Sequence, residues 1–187
     1  MEINSFIDQY LKETKEIADI ISRPRIAMII EALQKTKDNK GRLFIIGVGG
    51  SAANASHAVN DFRKISGMEC YSPVDNVSEL TAWTNDVGFE SVFIKWLETS
   101  RLGKRDCLMV LSVGGGTETT SKNLVLAMRY AKEIGANIVA VVSRDGGMAA
   151  KLTDGCVIVP VVSDERITPH AEGWQGLLLH LIVNSIR

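Results

Sequence analysis

Short, almost wholly apolar runs recur along this chain, each too brief to be a helix. They are Leu43–Ile46, Cys107–Leu111 and residues 138–142 and 157–162. Unbroken apolarity over so few residues marks a strand buried on both faces, and such strands belong to parallel sheets. Between the runs the period changes. Residues 52–65, Lys122–Ile134 and 147–152 carry apolar side chains at helical spacing, and 169–186 reads as a further helix. Thr168 suits its N-cap and Pro169 its first residue. Residues 77–97 read as one or two helices around Asn85-Asp86-Val87-Gly88. Strand–helix alternation requires right-handed crossovers and helices on both faces of the sheet. The expected fold is α/β, a doubly wound parallel sheet with flavodoxin-like layering.

The first 37 residues follow another pattern. Ile3, Phe6, Ile7, Tyr10, Leu11, Ile17, Ala18 and Ile21 form one helical stripe. After a break at Ser22-Arg23-Pro24, a second stripe runs through Ile26, Ile29, Ile30 and Leu33, and residues 35–41 read as a polar loop. A sheet already covered on both faces has no use for two more amphipathic helices. Residues 1–37 are therefore expected to be a helical arm that joins subunits into a homo-oligomer, most simply a tetramer. Residues 41–187 are expected to be the α/β core, all within one domain.

Charge and cysteines narrow the function classes. Lys and Arg number 21 and Asp and Glu 22, so the net charge is -1. That lacks the basic excess of a nucleic-acid or membrane-surface binder. No apolar run approaches the ~20 residues of a membrane helix. The polar, acidic start has no signal-peptide core. Cys70, Cys107 and Cys156 are odd in number and widely spaced, as reduced thiols are, with Cys107 and Cys156 expected inside strands. A cytoplasmic location follows as the expectation, with neither nucleic acid nor membrane as partner.

Ligands of open parallel sheets bind beyond the carboxyl ends of the strands. Two of those ends stand out. Gly47-Val48-Gly49-Gly50-Ser51 follows the first strand and leads into a helix. Its glycines admit close approach, and the helix start favours an anion. Ser112-Val113-Gly114-Gly115-Gly116-Thr117 follows the second run and continues to Ser121, which looks like the next N-cap. Two such loops fit one phosphorylated, hydroxyl-rich ligand. The first also matches the dinucleotide fingerprint GxGxxG/A, with Glu69 about 20 residues on as the ribose-binding acid. The second loop has no task in a minimal dinucleotide site.

All three histidines, His57, His170 and His180, fall in segments able to reach this edge. His57 and Asp61 are four apart on one helix face. Glu172 and His180 are eight apart and differ by only about 80° in direction. Two imidazoles and two carboxylates make a four-ligand set for a metal such as zinc, or an acid/base set.

Gly47-Val48-Gly49-Gly50-Ser51-Ala52-Ala53 with His57 resembles the sugar isomerase (SIS) domain. Adding Asn85-Asp86-Val87-Gly88-Phe89, the Ser112 loop, Arg144-Asp145-Gly146-Gly147-Met148 and the His180 helix, the chain is similar to the phosphoheptose isomerases over nearly its whole length. That family converts sedoheptulose 7-phosphate to a heptose 7-phosphate on the way to nucleotide-activated heptose. Its members are cytoplasmic homotetramers, several with zinc near the reacting carbons. By position, the resemblance makes Ser51, Ser112 and Ser121 hydroxyl donors to the sugar phosphate and Asp86 a substrate-site aspartate. It makes His57 and His180 zinc ligands, and His180 also catalytic. Asp61 stands where the family commonly has a catalytic glutamate, Glu172 where it has a glutamine ligand, and the Ser112 loop is about four residues longer.

The expected substrate contacts are Gly49, Gly50, Ser51, Asn85, Asp86, Ser112, Val113, Gly114, Gly115, Thr117, Ser121 and Glu172. One zinc per subunit is expected on His57, Asp61, Glu172 and His180. Proton transfer through an enediol(ate) is assigned among Asp61, His180 and Glu172, the base being any of the three. The alternative is a non-catalytic SIS protein that binds a sugar phosphate or associates with DnaA. Such a protein need not keep His57, an acid at 61 and His180 together.

Overall fold

The computed structural model describes residues 2–186. Five parallel strands, β1 (Leu43–Ile46), β2 (Cys70–Tyr71), β3 (Cys107–Leu111), β4 (Asn137–Val142) and β5 (Gly155–Ile158), lie in the order β2-β1-β3-β4-β5. Leu43 stands opposite Cys107, and Cys107 opposite Asn137. The strand order reverses between β1 and β3, which makes their carboxyl ends the topological switch point of the sheet.

Successive side chains of a strand point to opposite faces. Leu43 and Ile45 thus enter one buried cluster, Phe44 and Ile46 the other. The first cluster is covered by α2 (Arg23–Asp38), α3 (Gly50–Lys64) and α8 (Ile167–Ser185). The second is covered by α5 (Val92–Thr99), α6 (Lys122–Ile134) and α7 (Ala149–Leu152). α4 (Val77–Val87) and a 3-10 turn at Phe89–Ser91 precede α5, so the 77–97 segment is two helices.

Several boundaries differ from expectation. β2 carries no sequence pattern, because two residues suffice when each pairs with a β1 neighbour. β5 ends before 162: Val159 still donates to the Val142 carbonyl, but Pro160 has no N–H to continue the ladder. α8 begins at Ile167 behind a 3-10 turn at Asp164–Arg166, so Thr168 lies in the first turn and is not its cap. Ser121 does stand at the N-cap of α6, yet its φ is +52° and its side chain makes no capping bond.

The larger correction concerns the arm. α2 is not surplus: Ile26, Ile29 and Leu33 are buried in the first cluster with Val139 and Val157. It fills the part of that face that α3 and α8 leave over β4 and β5. Each such residue adds roughly 1.5–3 kcal/mol of burial. α1 (Ile3–Ile20) is divided. Ile17 and the following Ile21 are buried, whereas Ile3 and Leu11 are 79% and 61% exposed.

One buried charge cluster fixes α1. Glu13 accepts from Arg166 Nε and Nη2, each at 2.8 Å, and its Oε2 lies 2.8 Å from His170 Nε2. Tyr10 stacks on His170 with ring centroids 4.6 Å apart. The Arg166 hydrogen bonds, outweighing burial, hold the Glu13 carboxyl far below the usual carboxylate range. His170 is thereby committed to α1 and does not reach the ligand edge.

Candidate active site

A cavity of about 440 Å³ opens at the switch point, walled by the loops after β1, β3 and β4 and by the start of α8. Val48 and Ser51 come from the first loop. Ser112, Val113, Gly114, Gly116, Thr117, Thr120 and Ser121 come from the second, Arg144 and Asp145 from the third, and Thr168 from α8. Two other hollows, of about 410 and 450 Å³, sit away from this edge around Arg42. Arg42 is already engaged by Asp106 and by the Ser100 and Arg101 carbonyls.

The second loop is shaped mainly by the third. Ser143 N–H donates to the Val113 carbonyl, and Met148 and Ala149 donate to those of Gly116 and Gly115. Gly115 has φ +71°, and a Cβ there would collide with the Gly146 carbonyl. The glycines at this point therefore serve loop-on-loop packing rather than ligand contact alone. Ser112 Oγ accepts from Gly115 N–H, and Thr117 Oγ1 accepts from the N–H groups of Thr119 and Thr120. The Ser112 hydroxyl proton stays available to an anion, and Thr117 Oγ1 also lies 3.4 Å from Thr119 Oγ1.

From this cavity a track of side chains runs along the packed pair α3 and α8. The Glu172 carboxylate lies against Gly50, where any Cβ would overlap it. Asn54 Nδ2 donates to the Glu172 carbonyl, 2.9 Å, and to Gln175 Oε1, 3.2 Å. At the far end, Asp61 Oδ2 lies 3.5 Å from His57 Nε2 and 3.2 Å from His180 Nδ1. The imidazole rings meet edge to face, centroids 5.2 Å apart. Asp61 Oδ1 accepts from Asn60 Nδ2. The Asp61 side chain is 14% exposed, the two histidines 60% and 55%.

His57, Asp61 and His180 form a group that could hold a metal ion, one donor atom each. Two ligands about 2.0–2.1 Å from a tetrahedral zinc stand about 3.3 Å apart; the two separations from Asp61, 3.5 and 3.2 Å, match that, and the three donor atoms all lie within 4.8 Å of one another. Three protein ligands with a fourth position open is the pattern of a catalytic zinc site.

Glu172 does not join this group. Eight helical residues differ by only 80° around the axis, but they rise about 12 Å along it, and that rise separates the carboxylate from His180. Asn85 and Asp86 do not line the cavity either. They sit exposed on α4, with Asn85 Nδ2 bonded to Asp86 Oδ1. Glu69 immediately precedes β2, at the amino ends of the strands beside Leu43 N–H. A ribose-binding acid is needed at the carboxyl ends, so the dinucleotide reading fails. Arg144, Asp145 and Thr168 line the cavity too and were not among the expected contacts. The rule that singled out the first two loops extends to the end of β4 and would have found Arg144. All three cysteines are buried, and burial pushes the Cys107 thiol up to about 12.

The order of the strands and the paired loops at the switch point define a flavodoxin-like α/β fold with a ligand edge, and comparison with known proteins narrows it to the SIS class. Residues 9–143 match the SIS domain family. A phosphoheptose isomerase of Geotalea daltonii is 33% identical over 99% of this chain and 94% of its own. One from Helicobacter pylori strain P12 is 31% identical over 94% of this chain and 88% of its own. The solved phosphoheptose isomerase GmhA from Neisseria gonorrhoeae superposes with a TM-score of 0.85 at 25% identity, covering 98% of this chain and 96% of that one. Within the SIS class, the chain belongs to the phosphoheptose isomerase family, a family of isomerase enzymes.

Proposed function

We propose that this chain isomerises sedoheptulose 7-phosphate to a D-glycero-heptose 7-phosphate. The observation that supports this best is the track on α3 and α8. It joins a hydroxyl-lined cavity at Ser51 and Thr168 to the His57, Asp61 and His180 group. From Ser51 to His57 the rise along α3 is about 9 Å. A seven-carbon sugar phosphate carries its phosphate at one end and its reacting C1–C2 pair at the other, so it suits two stations set apart.

In this reading Ser112, Thr117, Thr120 and Ser121 hold the phosphate with hydroxyl protons, assisted by the start of α6. Aldose–ketose interconversion moves a proton between adjacent carbons through an enediol(ate), and needs a base, an acid and help for the developing oxyanion. Asp61 and His180 trade that proton in this reading, which the 3.2 Å separation of Asp61 Oδ2 and His180 Nδ1 supports. Glu172, aimed at Gly50, stands between the stations and contacts the sugar hydroxyls. A zinc on His57, Asp61 and His180 would supply Lewis-acid polarisation of the reacting oxygens; a ligating group cannot carry the proton at the same instant, so either the metal site is partly open in turnover or Glu172 takes the base role.

Both imidazoles are too exposed to exclude water in one chain. Assembly supplies the cover: the exposed apolar half of α1 packs against the same element of other subunits in a homotetramer, in the cytoplasm. The test is to incubate the protein with sedoheptulose 7-phosphate and follow it by NMR. Appearance of an aldose heptose 7-phosphate is expected. Binding without turnover would make the chain a non-catalytic SIS protein.

A further inference from the structure

We infer that Arg144 is the phosphate-binding cation of the cavity and makes the site selective for phosphorylated over neutral sugars. This rests on the reading of the cavity as the phosphate station.

Arg144 is the one cationic side chain among the residues that line the cavity. A phosphoryl group carries about -1.5 to -2 charge near neutral pH. The serine and threonine hydroxyls around it donate protons but bring no charge. Among the described residues, no ion pair or hydrogen bond engages the Arg144 guanidinium, although most charged groups near this edge are taken. Glu118 pairs with Arg129 and Glu90 with Lys122. The neighbouring acid, Asp145, accepts from Gly147 N–H through Oδ1 and so closes its own turn.

The turn holds Arg144 in place. Ser143 is fixed on one side by its N–H to the Val113 carbonyl and by its Oγ to the Val159 carbonyl, and Gly146 N–H bonds back to Ser143. Arg144 itself has φ +53°, a left-handed conformation that L side chains rarely adopt. Such a residue persists only where its surroundings over-determine it, and such residues cluster at ligand clamps. Its Cδ lies 3.8 Å from where a Cβ on Gly114 would stand, so the stem runs along the second loop.

The first loop offers the phosphate less. The Glu172 carboxylate already occupies the space over Gly50 at the start of α3. Like charges repel, so Glu172 disfavours an anion over the first loop; on the third loop the Asp145 carboxylate also lines the cavity, with Oδ1 engaged by Gly147 N–H, and Arg144 supplies the positive charge that offsets it there. Arginine matches phosphate with paired, parallel hydrogen bonds that a lysine ammonium cannot reproduce.

The test uses Arg144→Gly, whose backbone suits the left-handed position, and Arg144→Lys. Titration calorimetry with inorganic phosphate should show about 10–100-fold weaker binding for Arg144→Gly, the scale of a lost charge-assisted contact, with partial recovery in Arg144→Lys. With sugar phosphate, KM should rise by a similar factor while kcat stays within about threefold. Wild-type phosphate affinity in Arg144→Gly, or no phosphate binding by the wild-type chain, overturns the inference. An inactive wild-type enzyme whose phosphate binding still depends on Arg144 sinks the isomerase reading and leaves this inference standing. An active enzyme with unchanged KM in Arg144→Gly does the reverse.

Discussion

The two ends of the α3–α8 track are built to different degrees of completion. At the cavity end, three loops interlock through backbone hydrogen bonds, and glycine at 115 allows the third loop to touch the second. That end is finished within one chain. At the other end, His57 and His180 stand more than half exposed around the partly buried Asp61. Electrostatic interactions there are weakened by water, whereas catalysis by positioned charge gains from its exclusion. In the proposed function, holding the phosphate would then be a property of the single chain, and moving the proton would wait on a cover that the exposed half of α1 is suited to recruit.

The sharpest break in that comparison is His180→Ala. It should lower kcat at least about a hundredfold, the usual worth of a positioned acid or base, while phosphate binding persists. Near-wild-type turnover would make His180 a surface residue without chemistry. Next comes the metal. Protein purified without chelator should contain about one zinc per chain, and EDTA should abolish most activity if the group acts as a catalytic zinc site. Full activity without metal would leave a plain acid/base pair. Asp61→Asn should cost more activity than Asp61→Glu, because the amide loses the charge that both base and ligand roles require; equal activities would remove Asp61 from the mechanism.

Smaller effects belong to the scaffold. Gly115→Ala should destabilise the fold by about 1–3 kcal/mol, since it forces a side chain into a left-handed position against the Gly146 carbonyl. Thermal melts would register it, and an unchanged midpoint would contradict the interlock. Glu13 gives a pH signature. Its folded-state pKa is held far below the ordinary carboxylate range, so its contribution is complete above that range and fades as pH falls through it. The wild-type melting temperature should therefore drop more steeply on acidification than that of Glu13→Gln. Parallel profiles would mean that the Arg166 contact does not anchor α1.

The sheet was legible because burial on both faces leaves unbroken apolar runs, and Leu43–Ile46 and Cys107–Leu111 form strands at the bounds read from sequence. β2 was invisible, since its two residues acquire their conformation from β1. The stripe on α2 was read correctly as apolar but assigned to the wrong surface. Periodicity shows that a helix face must be covered and does not say by what. His57, Asp61 and His180 were found because four-residue spacing and pairing of helices bring them together. Glu172 stands apart from the His57, Asp61 and His180 group, because its spacing from His180 gives direction around a helix and not the rise along it. Arg144 escaped because a single arginine in a turn has no pattern of its own, and the strand-end rule that points to it was applied to the loops after β1 and β3 but not to the one after β4.

The division of labour along the track is tested most directly by steady-state kinetics of two variants on one substrate, sedoheptulose 7-phosphate. Ser121→Ala, at the cavity end, should raise KM by about tenfold with kcat largely kept, as expected when a hydrogen bond made equally in ground and transition states is lost. His180→Ala, at the other end, should lower kcat at least about a hundredfold with KM changed little. Both variants losing the same parameter to a similar extent would contradict two separate stations and return the chemistry to the cavity itself.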